Sequence, residues 1–77
     1  MTVALNTCIL IKTTPLEADE VLAKTRKVKG VRKAFLGYGR YDIIAFGEAP
    51  GYPEIRKISE LINEIGGVRS TETLVEG

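Results

Sequence analysis

Apolar residues return at alternate positions near the start of the chain: Val3, Leu5, Ile9 and Ile11 share one face, and Ala4, Asn6, Cys8 and Leu10 the other. A period of two predicts a strand over 3–11, and its second face is also largely apolar. Thr14-Pro15-Leu16-Glu17 then reads as a helix start, with a threonine cap, a proline at the first helical position and a glutamate completing a capping box. The period changes to that of a helix, with Ala18, Val21, Leu22, Thr25 and Val28 on one face. Acidic Glu17, Asp19 and Glu20 precede basic Lys24, Arg26, Lys27 and Lys29, the order the helix dipole favours, and Gly30 is the stop.

Two more strands are expected over 31–38 and 42–47, joined by a tight turn around Gly39-Arg40. A second helix is expected from Pro53-Glu54, with Ile55, Ile58, Leu61, Ile62 and Ile65 as its apolar stripe and Gly66-Gly67 as its end. A last strand covers 68–75. The order is β-α-β-β-α-β, and Val28-Lys29-Gly30-Val31-Arg32 is echoed by Ile65-Gly66-Gly67-Val68-Arg69. Two such units give an α+β, ferredoxin-like sandwich: an antiparallel sheet with both helices on one face, in one domain spanning 1–77. The first and third strands, apolar on both faces, suit its centre. The uncovered face, with Cys8, Leu10, Ile44 and Phe46, predicts a homodimer packed sheet to sheet. Cys8 reads as a small buried hydrophobe in that interface.

Composition narrows the chemistry. In 77 residues there is no histidine and one cysteine, which removes the usual zinc sites, an intrachain disulfide and histidine-based catalysis. A net charge of +1 supplies no general pull toward nucleic acid or anionic membrane. No apolar run reaches the ~20 residues of a membrane span and no signal-peptide pattern opens the chain, so a cytoplasmic protein without cofactor or metal is expected.

The densest signal is Gly37-Tyr38-Gly39-Arg40-Tyr41-Asp42-Ile43-Ile44-Ala45-Phe46. A phosphate loop must lead from a strand into a helix, and this stretch leads into a strand. An RNA-recognition strand needs stacking rings on the open face, and isoleucines stand there instead. A hairpin turn is left, with Gly39 free to take a positive φ and Asp42 able to cap the turn. Thr71 and Thr73, on one face of the last strand, add paired hydroxyls. A carboxylate, a glycine turn and two hydroxyls together suit a free amino acid: the carboxylate accepts from its ammonium, and hydroxyls and amides donate to its carboxylate. The alternatives are plain turn capping and β-propensity.

The Gly39-Arg40-Tyr41-Asp42 turn, followed by a second amphipathic helix and then Gly67-Val68-Arg69-Ser70-Thr71-Glu72-Thr73, resembles the effector-binding domain of Lrp/AsnC-type regulators, the regulation-of-amino-acid-metabolism domain. The resemblance covers essentially the whole chain. It implies a ferredoxin-like dimer that builds tetramers, octamers or rings and takes amino-acid effectors between dimers. Carried over by position, it assigns ligand contacts to Gly39, Tyr41, Asp42, Thr71 and Thr73, with Arg40 at a variable position facing an effector carboxylate or solvent. Family members also carry a helix-turn-helix domain, which this sequence lacks. The implied role is a stand-alone sensing module without direct DNA binding, acting by itself or with full-length regulators. Rival readings are a purely structural assembly module and a small ferredoxin-like enzyme, the latter lacking a catalytic constellation.

Overall fold

The structure, a computed structural model, describes residues 4–76. Its elements run β1 (Leu5–Thr13), α1 (Ala18–Thr25), β2 (Val31–Leu36), β3 (Ile43–Ala49), α2 (Tyr52–Asn63) and β4 (Val68–Val75). The four strands form one antiparallel sheet in the order β2-β3-β1-β4, so the first and third strands are central, as their two apolar faces require. Both helices lie on one face. Ile9 and Ile11 of β1, Ile43 and Ala45 of β3, Val21 of α1, and Ile55, Ile58 and Ile62 of α2 close the core between the layers.

Several boundaries differ from the sequence expectation. β1 runs two residues further than expected, to Thr13, and Val3 lies outside the described residues. Thr13 stays in the sheet because it pairs with Val68 across a register shift after Lys12. The capping box does not form: α1 starts at Ala18, and its N-cap, Glu17, makes no side-chain cap bond. Thr14 and Glu17 instead bond each other through their side chains, within a turn closed by Glu17 N–H donating to the Thr14 carbonyl. Pro15 belongs to that turn, and Leu16 adopts φ +74°. The chain must reverse from strand to helix here within four residues, and the turn consumes the groups that would cap. α1 also stops early, at Thr25, and Val28 completes its stripe from the following turn.

The sequence echo is structural. Gly30 and Gly67 stand at corresponding helix-to-strand corners with φ of +101° and +100°. At the first corner the Gly30 carbonyl accepts from Glu48 N–H at 3.0 Å, which draws the chain across β3. The crossing is close enough that a Cβ on Gly47 would lie 2.7 Å from the Gly30 oxygen. Arg26 holds the same connection from above, donating through Nε and Nη2 to the Ala34 carbonyl at 3.1 and 2.9 Å.

Among the described residues one buried side-chain oxygen is unsatisfied: the Thr25 hydroxyl is fully buried and has no hydrogen-bond partner. Burying such a group costs ~1–3 kcal/mol. Thr25→Val keeps the shape and removes the hydroxyl, so chemical denaturation should show the variant at least as stable as the native chain, by up to about 1 kcal/mol. A loss of stability would mean that the hydroxyl has a partner in solution.

The opposite sheet face is uncovered. Phe35, Ile44, Leu10, Cys8, Phe46 and Leu74 are cross-strand neighbours there, with Phe46 and Leu74 42% and 50% exposed. The Phe35 and Phe46 rings stand 6.0 Å apart. Partial burial raises the Cys8 thiol pKa above its ordinary value. No helix among the described residues is long and apolar enough to cross a membrane.

Candidate ligand site at the hairpin

The connection between β2 and β3 is wider than the tight turn around Gly39-Arg40 that the sequence suggests. Six residues, 37–42, separate Leu36 from Ile43, and Gly37 N–H closes the loop by donating to the Asp42 carbonyl at 2.8 Å. Gly39 takes φ +104°, and space around it is open, so conformation and not crowding selects glycine. Arg40 is exposed at the tip.

Asp42 binds the loop to the sheet. Its N–H donates to the Ile11 carbonyl at 2.9 Å, and its Oδ2 accepts from Thr13 N–H at 2.8 Å. The carboxylate therefore caps the end of the neighbouring central strand and not its own turn. One carboxylate oxygen serves that bond, and a carboxylate offers about four acceptor directions. The half-buried Asp42 thus retains acceptor capacity at the rim of the loop.

Tyr41 reaches across the sheet end, its hydroxyl donating to Glu72 Oε2 at 2.7 Å. That bond, more than burial or the Glu72 charge, raises the phenol pKa. Raising a folded-state pKa above the unfolded value means that the phenol's contribution to stability is present below the ordinary tyrosine range and is lost as pH rises through the folded value. With Tyr38 and Tyr52 changed to phenylalanine, phenolate absorbance should show Tyr41 ionising above the ordinary range, and Glu72→Gln should bring it down. An identical titration in both proteins would show that the pair does not persist in solution.

Thr71 and Thr73 share a face of β4, as their spacing requires, but that face looks toward α2. Thr71 donates to Asn63 Oδ1 at 3.1 Å, and Thr73 shares a 2.9 Å hydrogen bond with Ser59. The match has a simple origin. Residues four apart on a helix rise about 6 Å, and residues two apart on a strand about 6.6 Å, so Ser59 and Asn63 meet Thr73 and Thr71 in antiparallel order. The polar spacing of Ser59 and Asn63 on α2 was a readable signal for this pairing. The Thr13 amide was not, because a backbone group has no signature in sequence.

The structure thus brings Gly39, Arg40, Tyr41 and Asp42 to one end of the sheet, with Thr71 and Thr73 on the far side of β1 at the same end. Among the described residues, these do not line any of the main cavities of the single chain. Three surface cavities of about 440, 470 and 450 Å³ lie elsewhere and include none of them.

Comparison with known proteins bears on the fold. No family model and no curated protein matches the chain. Solved structures do. FFRP-DM1 superposes with a TM-score of 0.85 at 26% identity, covering 94% of this chain and 97% of its own. A protein from Thermus thermophilus gives 0.90 at 20% identity, with 95% and 92% covered. AsnC of Escherichia coli gives 0.86 at 23% identity, and there the chain spans 50% of the regulator's length. Two further matches, a transcriptional regulator from Neisseria meningitidis at 17% identity and a feast or famine regulatory protein from M. tuberculosis at 14%, are complexes with L-methionine. Element order and this overlap identify the chain as similar in fold, over nearly its whole length, to FFRP-DM1 and to half of the regulator AsnC.

Proposed function

We propose that this protein is an amino-acid-binding effector module of Lrp/AsnC-type regulation, which acts as an oligomer and makes no DNA contact of its own. One observation carries the reading: the half-buried Asp42 carboxylate is fixed by Thr13 N–H through one oxygen and presents its remaining acceptor capacity beside Gly39 and the exposed Arg40. An amino acid fits that pair of charges, its ammonium to Asp42 and its carboxylate to Arg40 and the turn amides. The L-methionine complexes of two structural neighbours support the ligand class. Since the hairpin residues line none of the main cavities of one chain, the remaining walls come from a neighbouring copy.

The uncovered sheet face supports the oligomer. Phe35, Phe46, Leu10, Ile44 and Leu74 form an apolar surface that a second sheet can cover, giving a homodimer. With a net charge of +1 and no broad cationic face implied by it, an effect on transcription runs through association with DNA-binding regulators. Titration calorimetry with each of the twenty amino acids tests the binding reading, and the absence of heat from every one of them removes it. A second reading, a module that assembles but holds no ligand, draws on the bonds that already occupy Thr71, Thr73 and Asp42 Oδ2. It predicts that same silence together with an intact dimer.

A further inference from the structure

The connection between β1 and α1 presents a leucine in an unusual way. Leu16 is fully exposed and adopts φ +74°, a left-handed conformation that disfavours a side chain. Neither core packing nor turn geometry explains an apolar, branched residue at that position, where glycine or asparagine fits better. Exposed acidic residues follow it in sequence: Glu17, one oxygen of which accepts from the Thr14 hydroxyl, then Asp19 and Glu20 on the first turn of α1, where Glu20 pairs with Lys24.

At the other end of the molecule a cavity of about 470 Å³ opens between α2 and the end of β3. Ala49, Pro50, Ile58 and Leu61 supply its apolar surface, and Lys29 and Lys57 stand at its rim. Of the two acidic residues there, Glu48 is paired with Arg32 and Glu54 lies against Gly51 at the start of α2. Among the described residues neither lysine has a carboxylate within bridging distance. The cavity is thus an apolar hole with free positive charge beside it.

We propose that the Pro15-Leu16 tip of one copy seats in the cavity of a second copy, with Glu17 and Asp19 facing Lys57 and Lys29. The two surfaces cannot meet within one chain. Leu16 follows the C-terminal end of β1, while Ala49 pairs with Leu5 at its N-terminal end, about 25 Å away along the strand. Different patches on the two partners make the contact heterologous, so it joins copies head to tail and closes into a ring or continues as a filament. Knob and hole both lie away from the open sheet face, which leaves that face free for its own pairing.

Two experiments test the contact, and neither depends on whether an amino acid binds. In a Cys8→Ser background, a Leu16→Cys chain mixed with a Pro50→Cys chain should give a mixed disulfide under mild oxidation, with far less product from either chain alone. In solution, Leu16→Gly should raise the melting temperature, because it releases the backbone, and lower the weight-average mass at concentrations where the native protein assembles beyond a dimer. Lys57→Glu should lower that mass as well, and adding Asp19→Lys should restore it. The proposal is overturned if the native protein never exceeds a dimer, if Leu16→Gly and Lys57→Glu assemble like the native chain, or if no mixed disulfide forms.

Discussion

Asp42→Ala is expected to lower stability by about 2 kcal/mol, while Asp42→Asn costs less than half as much, in urea titrations of the unliganded protein. The difference follows from one bond. Thr13 N–H donates to Asp42 Oδ2 at 2.8 Å, and hydrogen bonds to charged groups contribute ~1.5–3 kcal/mol. Alanine leaves the amide at the end of a central strand without a partner, whereas the asparagine side chain retains an acceptor oxygen. Amino-acid affinity should respond differently. Both variants lack the negative charge that an ammonium requires, so both should lose roughly 10- to 100-fold in Kd, the equivalent of a ~1.5–3 kcal/mol charge-assisted contact. Asp42→Asn is the informative protein, because it retains the anchor and removes the charge. Native-like affinity in Asp42→Asn would assign the carboxylate to the fold alone.

Gly47→Ala should produce a larger loss, about 3 kcal/mol, visible as a lower midpoint in the same titrations. Its Cβ would stand 2.7 Å from the Gly30 carbonyl oxygen, and the obstacle is backbone on both sides. No rotamer relieves it. Relief requires that the Gly30 corner move off β3, which breaks the 3.0 Å bond from Glu48 N–H and shifts Ile58, which packs against Gly30. Gly39→Ala is the control. It meets open space and bears only the penalty of φ +104°, ~1–2 kcal/mol. If both variants lost the same amount, close packing at the crossing would not be what selects glycine at 47.

These two positions also mark where sequence reading succeeds and where it stops. Gly39 is legible because a glycine between two strand patterns before an aspartate indicates a positive-φ turn, and the turn is there, though it spans six residues. Gly47 looks like any glycine in a strand, since its role depends on a carbonyl seventeen positions earlier. Thr14-Pro15-Leu16-Glu17 is the reverse case, a local motif that tertiary demands overrode. Its spacing fits a capping box, yet strand pairing keeps Thr13 in the sheet and the chain uses the next four residues to turn.

Local periodicity determined the element order, the identity of the central strands and the placement of the core on one side of the sheet. Each of these follows from which residues avoid water at a period of two or 3.6, and that information is carried by neighbours in sequence. Tertiary structure decided what the polar groups of the hairpin hold. Asp42 is joined to an amide 29 positions away, Tyr41 to Glu72, and Thr71 and Thr73 to α2. Hydrogen bonds act over about 3 Å, so their partners are fixed only when the sheet has brought distant strands into register.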